Sequence, residues 1–263
     1  MVDIIDSQKI LELLNEELKN KIKVEVLEKA TSTNTLVKEL ASENGEGLVV
    51  IAREQTAGRG RMGRSFFSPG DSGVYMSLLL KPQIKPEDAV QITTAAAVSV
   101  CRALENLGVS DSKIKWVNDI FLNGKKVCGI LTESSFNSQK GMLDFAVLGV
   151  GINIYKSEGG FPEEIKNIAG AVFTQRKEDL RNRFIAGFIN CFFGFYRELS
   201  SKKHMKEYKE RSFVLGEEIT VVQGKKREKA KAIDIDENCN LIAEFSVGKT
   251  VKLYSGEISV RVK

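Results

Sequence analysis

Gln55-Thr56-Ala57-Gly58-Arg59-Gly60-Arg61-Met62-Gly63-Arg64-Ser65-Phe66-Phe67-Ser68-Pro69-Gly70 is the stretch on which the reading of the fold turns. Gly58, Gly60 and Gly63 match the dinucleotide fingerprint letter for letter. That fingerprint works only where a helix follows at once and aims its N-terminal amides at a pyrophosphate. Residues 64–70 show no helical periodicity and end in a Pro-Gly turn, so a doubly wound dinucleotide fold is excluded. What remains is a long loop between two strands, 48–52 before it and 74–80 after it. Arg53, Arg59, Arg61 and Arg64 stand there against one acid, Glu54, in a glycine-rich backbone. Guanidinium groups fork onto phosphate or carboxylate, and glycine lets backbone amides come close to a ligand. A basic loop of this kind also suits a nucleic-acid contact.

Outward from the loop, the chain alternates short strands with two long helices. Ser7 is placed to cap a first helix in which Ile10, Leu14 and Leu18 recur at i+4, followed by a strand at 24–27. The hydroxyl-rich run Thr31-Ser32-Thr33-Asn34-Thr35 precedes a helical pattern of Leu36, Val37, Leu40 and Ala41. Pro86 opens a helix over 89–107 that Gly108 stops. Strands are expected at 112–116, 127–134 and 145–150, with Asn123-Gly124 as a hairpin turn between two of them. A last long helix, 179–199, carries Leu180, Phe184, Phe188, Phe192, Phe195 and Leu199 on one face, a core stripe. From Phe213 the pattern becomes short strands, 218–222, 229–235, 240–245, 250–254 and 257–262, separated by Gly- and Asp-containing turns. The fold class is α+β: a mixed β-sheet with helices over residues 1–212, then a small β-barrel over 213–263.

Composition excludes several classes. With 263 residues, 42% hydrophobic, 28% charged and only 4 Pro, the chain is neither disordered, collagenous nor disulfide-dense. A net charge of +4 makes any basic surface local. The one histidine, His204, lies in Lys202-Lys203-His204-Met205-Lys206 and reads as a solvated face, so a Ser-His-Asp or Cys-His machine is not expected. Cys101, Cys128, Cys191 and Cys239 form no Cys-x-x-Cys pair and read as reduced core residues of a cytoplasmic protein. The most apolar run, 184–196, is too short for a membrane span and contains Asn190. The start Met-Val-Asp-Ile-Ile-Asp is acidic where a signal peptide is basic. Two further motifs fail on context. Residues 243–250 mimic a Walker A but no helix follows, and 234–245 mimic a calcium loop with Cys239 and Phe245 at the positions of its Gly and Glu.

Five motifs remain: Ser32-Thr33-Asn34, the loop 55–64, Lys115-Trp116-Val117-Asn118-Asp119, Lys126 before Val127-Cys128-Gly129-Ile130-Leu131, and Gly149-Val150-Gly151-Ile152-Asn153. In this order they resemble the biotin–protein ligase family, whose catalytic domain is class II synthetase-like, and the C-terminal part resembles its SH3-like domain. The resemblance implies two half-reactions. Biotin is activated with ATP and Mg²⁺ as biotinyl-5′-AMP, with release of pyrophosphate, and is then transferred to a lysine of a biotin carboxyl carrier domain. Catalysis would rest on positioning and charge stabilisation, which suits a chain with a single histidine.

By the same resemblance, Ser32, Thr33 and Asn34 meet the ureido head group, while Gln55, Arg59, Gly60 and Arg61 line biotin and the acyl-phosphate. Lys126 holds the biotin carboxylate and, with Arg61, is the expected catalytic residue. Lys115 and Asn118 lie at the triphosphate, Asp119 at Mg²⁺, Asn153 at the adenine, and Arg64 faces phosphate. Phe66 stands where the family often has a Trp that stacks on adenine, and Val117 replaces the usual proline. Only about 30 residues precede Ser32, which implies a monofunctional ligase without DNA binding. Family members are monomers or homodimers, so a homodimer is possible. Two alternatives stay open: a lipoate or octanoate ligase of related fold, and a nucleic-acid module using the Arg loop and Lys225-Lys226-Arg227.

Overall fold

The computed structural model describes residues 3–70, 72–139, 141–223, 226–246, 248–254 and 257–260. The first part of the chain runs α1 (Ser7–Glu12), α2 (Glu16–Lys19), β1 (Lys23–Ala30), α3 (Thr33–Glu39), β2 (Leu48–Gln55) and β3 (Gly73–Leu80). Next come α4 (Val90–Glu105), β4 (Lys113–Lys115), β5 (Asp119–Leu122), β6 (Lys125–Asn137) and β7 (Met142–Asn153). They are followed by α5 (Leu180–Tyr196), α6 (Met205–Arg211), β8 (Glu218–Gln223), β9 (Lys226–Ile235), β10 (Leu241–Phe245), β11 (Thr250–Leu253) and β12 (Glu257–Val260).

Seven strands form one sheet in the order β1-β2-β3-β7-β6-β5-β4. β1 and β2 are parallel because α3 supplies the crossover a parallel pair needs; every other neighbour is antiparallel. The period of two divides the residues between faces. Val49, Ile51, Met76, Leu78, Leu148, Val150, Cys128 and Ile130 point to the side covered by α4 and α5 and share their core. Phe184, Phe188 and Phe192 of α5 are fully buried there, each contributing about 2 kcal/mol relative to an exposed ring. On the other face α3 lays Val37 on Leu48, Val50, Leu79 and Val147.

α3 covers only part of that face. Beyond it lie two cross-strand rows, Ser77–Gly149–Leu131 and Tyr75–Gly151–Gly129–Asp119. Three glycines in adjacent positions thin the sheet into a recess.

The second sheet, β11-β10-β9-β8-β12, is antiparallel throughout. Ala232, Ile235, Leu241 and Ala243 join the core of the first unit. Trp116 Nε1 donates to Cys239 O at 2.8 Å and Gln91 Nε2 to Glu237 O at 2.9 Å. In the basic run 225–227, Lys225 lies outside the described residues, while Lys226 and Arg227 are exposed. The expected strand 257–262 is described as far as Val260.

Four local expectations are corrected. Asp6, not Ser7, caps α1, its Oδ1 accepting from Lys9 N at 3.0 Å. The first helix is two, because Asn190 of α5 takes the backbone at the break: Asn15 N donates to its Oδ1 at 2.9 Å and its Nδ2 donates to Leu13 O at 3.1 Å. The Asn123-Gly124 turn joins β6 to β5, a four-residue strand hidden behind the polar run 115–119. His204 is buried, 1% exposed, with Nε2 2.9 Å from Thr94 Oγ1, because Met205 and Tyr208 carry that turn into the core while the lysines beside it point out.

Candidate active site

One cleft opens over the glycine recess. At its inner end stands the N-terminus of α3. Ser32 is extended and occupies the cap position without capping, so its hydroxyl is not spent on the helix. Thr33 N and Oγ1 both donate to Gln55 Oε1, at 2.8 and 3.1 Å. Gln55 Nε2 in turn donates to Ser68 Oγ at 2.9 Å. Ser77 Oγ lies 2.7 Å from Thr33 Oγ1 and 2.6 Å from Asn34 Oδ1. Asn34 Nδ2 donates to Leu131 O at 3.3 Å and to Glu133 Oε2 at 3.1 Å. Ser32, Thr33 and Asn34 are all buried, and burial without partners would be costly. Only glycine fits at 149, where a Cβ would come 2.1 Å from Asn34 Oδ1.

The basic loop folds back on itself across this recess. Gly60 N donates to Arg64 O at 2.7 Å and Phe66 N to Gly58 O at 2.8 Å, with the turn at Met62 and Gly63 in the left-handed region. The turn aims two guanidinium groups at the strands opposite. Arg59 Nη1 donates to Glu133 Oε2 at 3.0 Å, and Arg61 Nη1 to Asn118 Oδ1 at 3.0 Å. Asn118 is held by its own Nδ2 donating to Ile130 O at 2.8 Å. Phe66 lies across the glycines: a Cβ on Gly151 would meet its ring at 2.7 Å and one on Gly129 at 3.3 Å.

Lys126 reaches the cleft through a β-bulge. Phe121 pairs with Lys126 and Ile120 with Cys128, so Val127 is extra and Lys126 shares a face with Gly129 and Asp119. Lys126 Nζ sits 2.7 Å from Asp119 Oδ1.

Every expected site residue lines this cleft except Asn153: Ser32, Thr33, Asn34, Gln55, Arg59, Gly60, Arg61, Arg64, Phe66, Lys115, Asn118, Asp119 and Lys126 come together. Asn153 stands at the end of β7 and donates from Nδ2 to Gly170 O at 3.0 Å. The three floor glycines lie in the motifs that the sequence reading singled out, whereas Ser77, Ser68 and Glu133, which bond the lining side chains, escaped it. Their signals were a lone Ser in an apolar strand and the period-two series Gly129, Leu131, Glu133.

The electrostatics fit ligand holding better than nucleophilic attack by the protein. Burial pushes the Cys128 thiol well above its ordinary range on the far face of β6. Burial lowers His204 to about 4, so it is neutral at pH 7. Burial also raises Tyr75 to about 12, and it stays protonated and donates to Pro69 O at 3.0 Å. Among the described residues no three His, Cys, Asp or Glu side chains cluster as a metal site.

The buried hydrogen-bonding recess, the cations of the loop and Lys126, and the glycine floor thus form one continuous cleft. Residues 26–153 match the model of the biotin/lipoate A/B protein ligase family, and residues 214–261 match the biotin protein ligase C-terminal domain. The bifunctional ligase/repressor BirA of Bacillus subtilis is 39% identical over 170 residues, covering 64% of this chain and 52% of that protein. A biotin–[acetyl-CoA-carboxylase] ligase of Mycobacterium tuberculosis is 27% identical over 249 residues, covering 87% of this chain and 85% of that one. Among solved structures, a biotin protein ligase from Aquifex aeolicus in complex with biotin and ATP superposes with a TM-score of 0.73 at 26% identity, covering 92% of this chain and 99% of that one. The chain thus spans about half the length of the Bacillus relative it matches. Residues 26–153 therefore carry a biotin/lipoate A/B protein ligase family domain and residues 214–261 a biotin protein ligase C-terminal domain.

Proposed function

We propose that the protein is an ATP-dependent biotin–protein ligase acting in the cytoplasm, where its cysteines stay free. The observation that carries this reading is the meeting, in one cleft, of the α3 hydrogen-bonding recess with Arg59, Arg61 and Lys126. The recess suits a ureido ring, which needs donors and acceptors on a buried wall. Ser32 would meet it directly, while Thr33 and Gln55 orient each other.

In the first half-reaction a biotin carboxylate oxygen bonds to the α-phosphorus of ATP and the bond to the β-phosphate bridging oxygen breaks, releasing pyrophosphate. Lys126 stabilises the charge that builds between carboxylate and phosphate, and Arg61 holds the resulting adenylate. Mg²⁺ bound with the triphosphate would supply neutralisation of the phosphate charge. Asp119 is one candidate oxygen for it, and its own contact is to Lys126. In the second half-reaction a lysine amine of a biotin carboxyl carrier domain attacks the acyl carbon and AMP leaves. Phe66, lying on the glycine floor, would offer its ring to the adenine.

Pyrophosphate release from MgATP with biotin, with lipoate and with neither, in the absence of acceptor protein, tests the reading. A burst near one equivalent with biotin alone is expected. A burst with lipoate alone moves the substrate to the other branch of the family, and no burst with either acid overturns adenylation.

A further inference from the structure

Glu133 stands on β6 just behind the cleft lining, two steps beyond Leu131 on the face that carries the glycine floor, and touches the lining residues Arg59 and Asn34. Its Oε2 accepts from Arg59 Nη1 at 3.0 Å and from Asn34 Nδ2 at 3.1 Å. One carboxylate oxygen therefore joins the basic loop to the head-group wall. The Arg59 side chain is 45% exposed and that of Glu133 20%, so the pair is wet enough to exchange partners. The same arrangement recurs at Lys126, which carries Asp119 as its own carboxylate at 2.7 Å. Arg61 differs, resting on the neutral Asn118.

We propose that Glu133 is the internal counter-ion of Arg59 and competes with the anionic end of the substrate for that guanidinium. The proposal rests on the reading of the substrate as a carboxylic acid. Glu133 is a positioning residue: it acts through Arg59 and, by the same oxygen, keeps the Asn34 amide turned with its carbonyl toward Ser77. The consequence is selective. A ligand with a negative tail must displace a carboxylate to reach Arg59, whereas a neutral ligand of the same shape meets no such competition.

Glu133→Gln separates the two roles, because the amide keeps an oxygen for Asn34 Nδ2 and loses the charge. Calorimetric titration of wild type and variant with biotin and with biotinol, its uncharged alcohol, reads the difference. Biotin is expected to bind the variant about two- to fivefold more tightly, the size of a partly exposed ion pair, with biotinol essentially unchanged. Glu133→Asp, which keeps the charge, is expected to stay near the wild-type preference. A parallel shift of both ligands, or weaker biotin binding, overturns the proposal. Failure of the wild type to bind either ligand overturns the ligase reading, and this proposal with it.

Discussion

Lys126 owes its place in the cleft to one inserted residue. By strict alternation it would lie on the face opposite Gly129; the extra Val127 swings it round to Asp119. Lys126→Ala is expected to slow adenylation about 10²- to 10³-fold, the loss typical of one charge-stabilising group. The melting temperature should stay within a few degrees, because the Lys126–Asp119 pair is partly exposed, 31% and 21%. Pyrophosphate release and a thermal melt on the same sample check both halves. Unchanged release removes Lys126 from the mechanism. The motif around Lys126 was legible in sequence, since a lysine before an apolar run is visible there. The bulge was not, because it is a property of pairing with β5. Glu133 and Ser77 were hidden for the same reason: only cross-strand register shows which side chains stand beneath α3 and the loop.

At the scale of elements, periodicity located what long burial patterns define and missed what a distant side chain decides. The helices expected at 89–107 and 179–199 are α4 and α5, Val90–Glu105 and Leu180–Tyr196, both carried by residues that pack into the core. The N-terminal helix broke because Asn190, read from sequence only as an interruption in an apolar run, bonds the backbone on both sides of the gap between α1 and α2. Asn190→Ala should lower stability by about 1–2 kcal/mol, two backbone groups returning to water for the loss of two hydrogen bonds. A urea titration should show an earlier midpoint with unchanged steepness. Adenylation rates should be unchanged, because α1 and α2 contribute no residue to the cleft. An unaltered midpoint shows that the break is set by local sequence instead.

At the scale of the molecule, the two sheets meet around His204, the residue whose surroundings the sequence concealed most completely. Its Nε2 faces Thr94 of α4, its ring packs edge-on against Phe195, and Thr94 Oγ1 also lies 3.5 Å from Cys239 Sγ, ahead of β10. Cys239 O, in turn, accepts from Trp116 in the motif that supplies Lys115, Asn118 and Asp119 to the cleft. Burial lowers the folded-state value from 6.5 to about 4, so the unfolded chain takes up a proton here before the folded one does. Stability from this group is complete above the unfolded value and is lost as pH falls from about 6.5 toward about 4, by roughly 3 kcal/mol in all. His204→Gln keeps a polar partner for Thr94 and removes the titration. Urea midpoints of wild type and variant, taken between pH 7 and pH 4, should therefore converge as pH falls, the wild type losing its advantage. If the difference between them is flat across that range, His204 titrates alike in both states, and the join between the sheets does not exclude its proton.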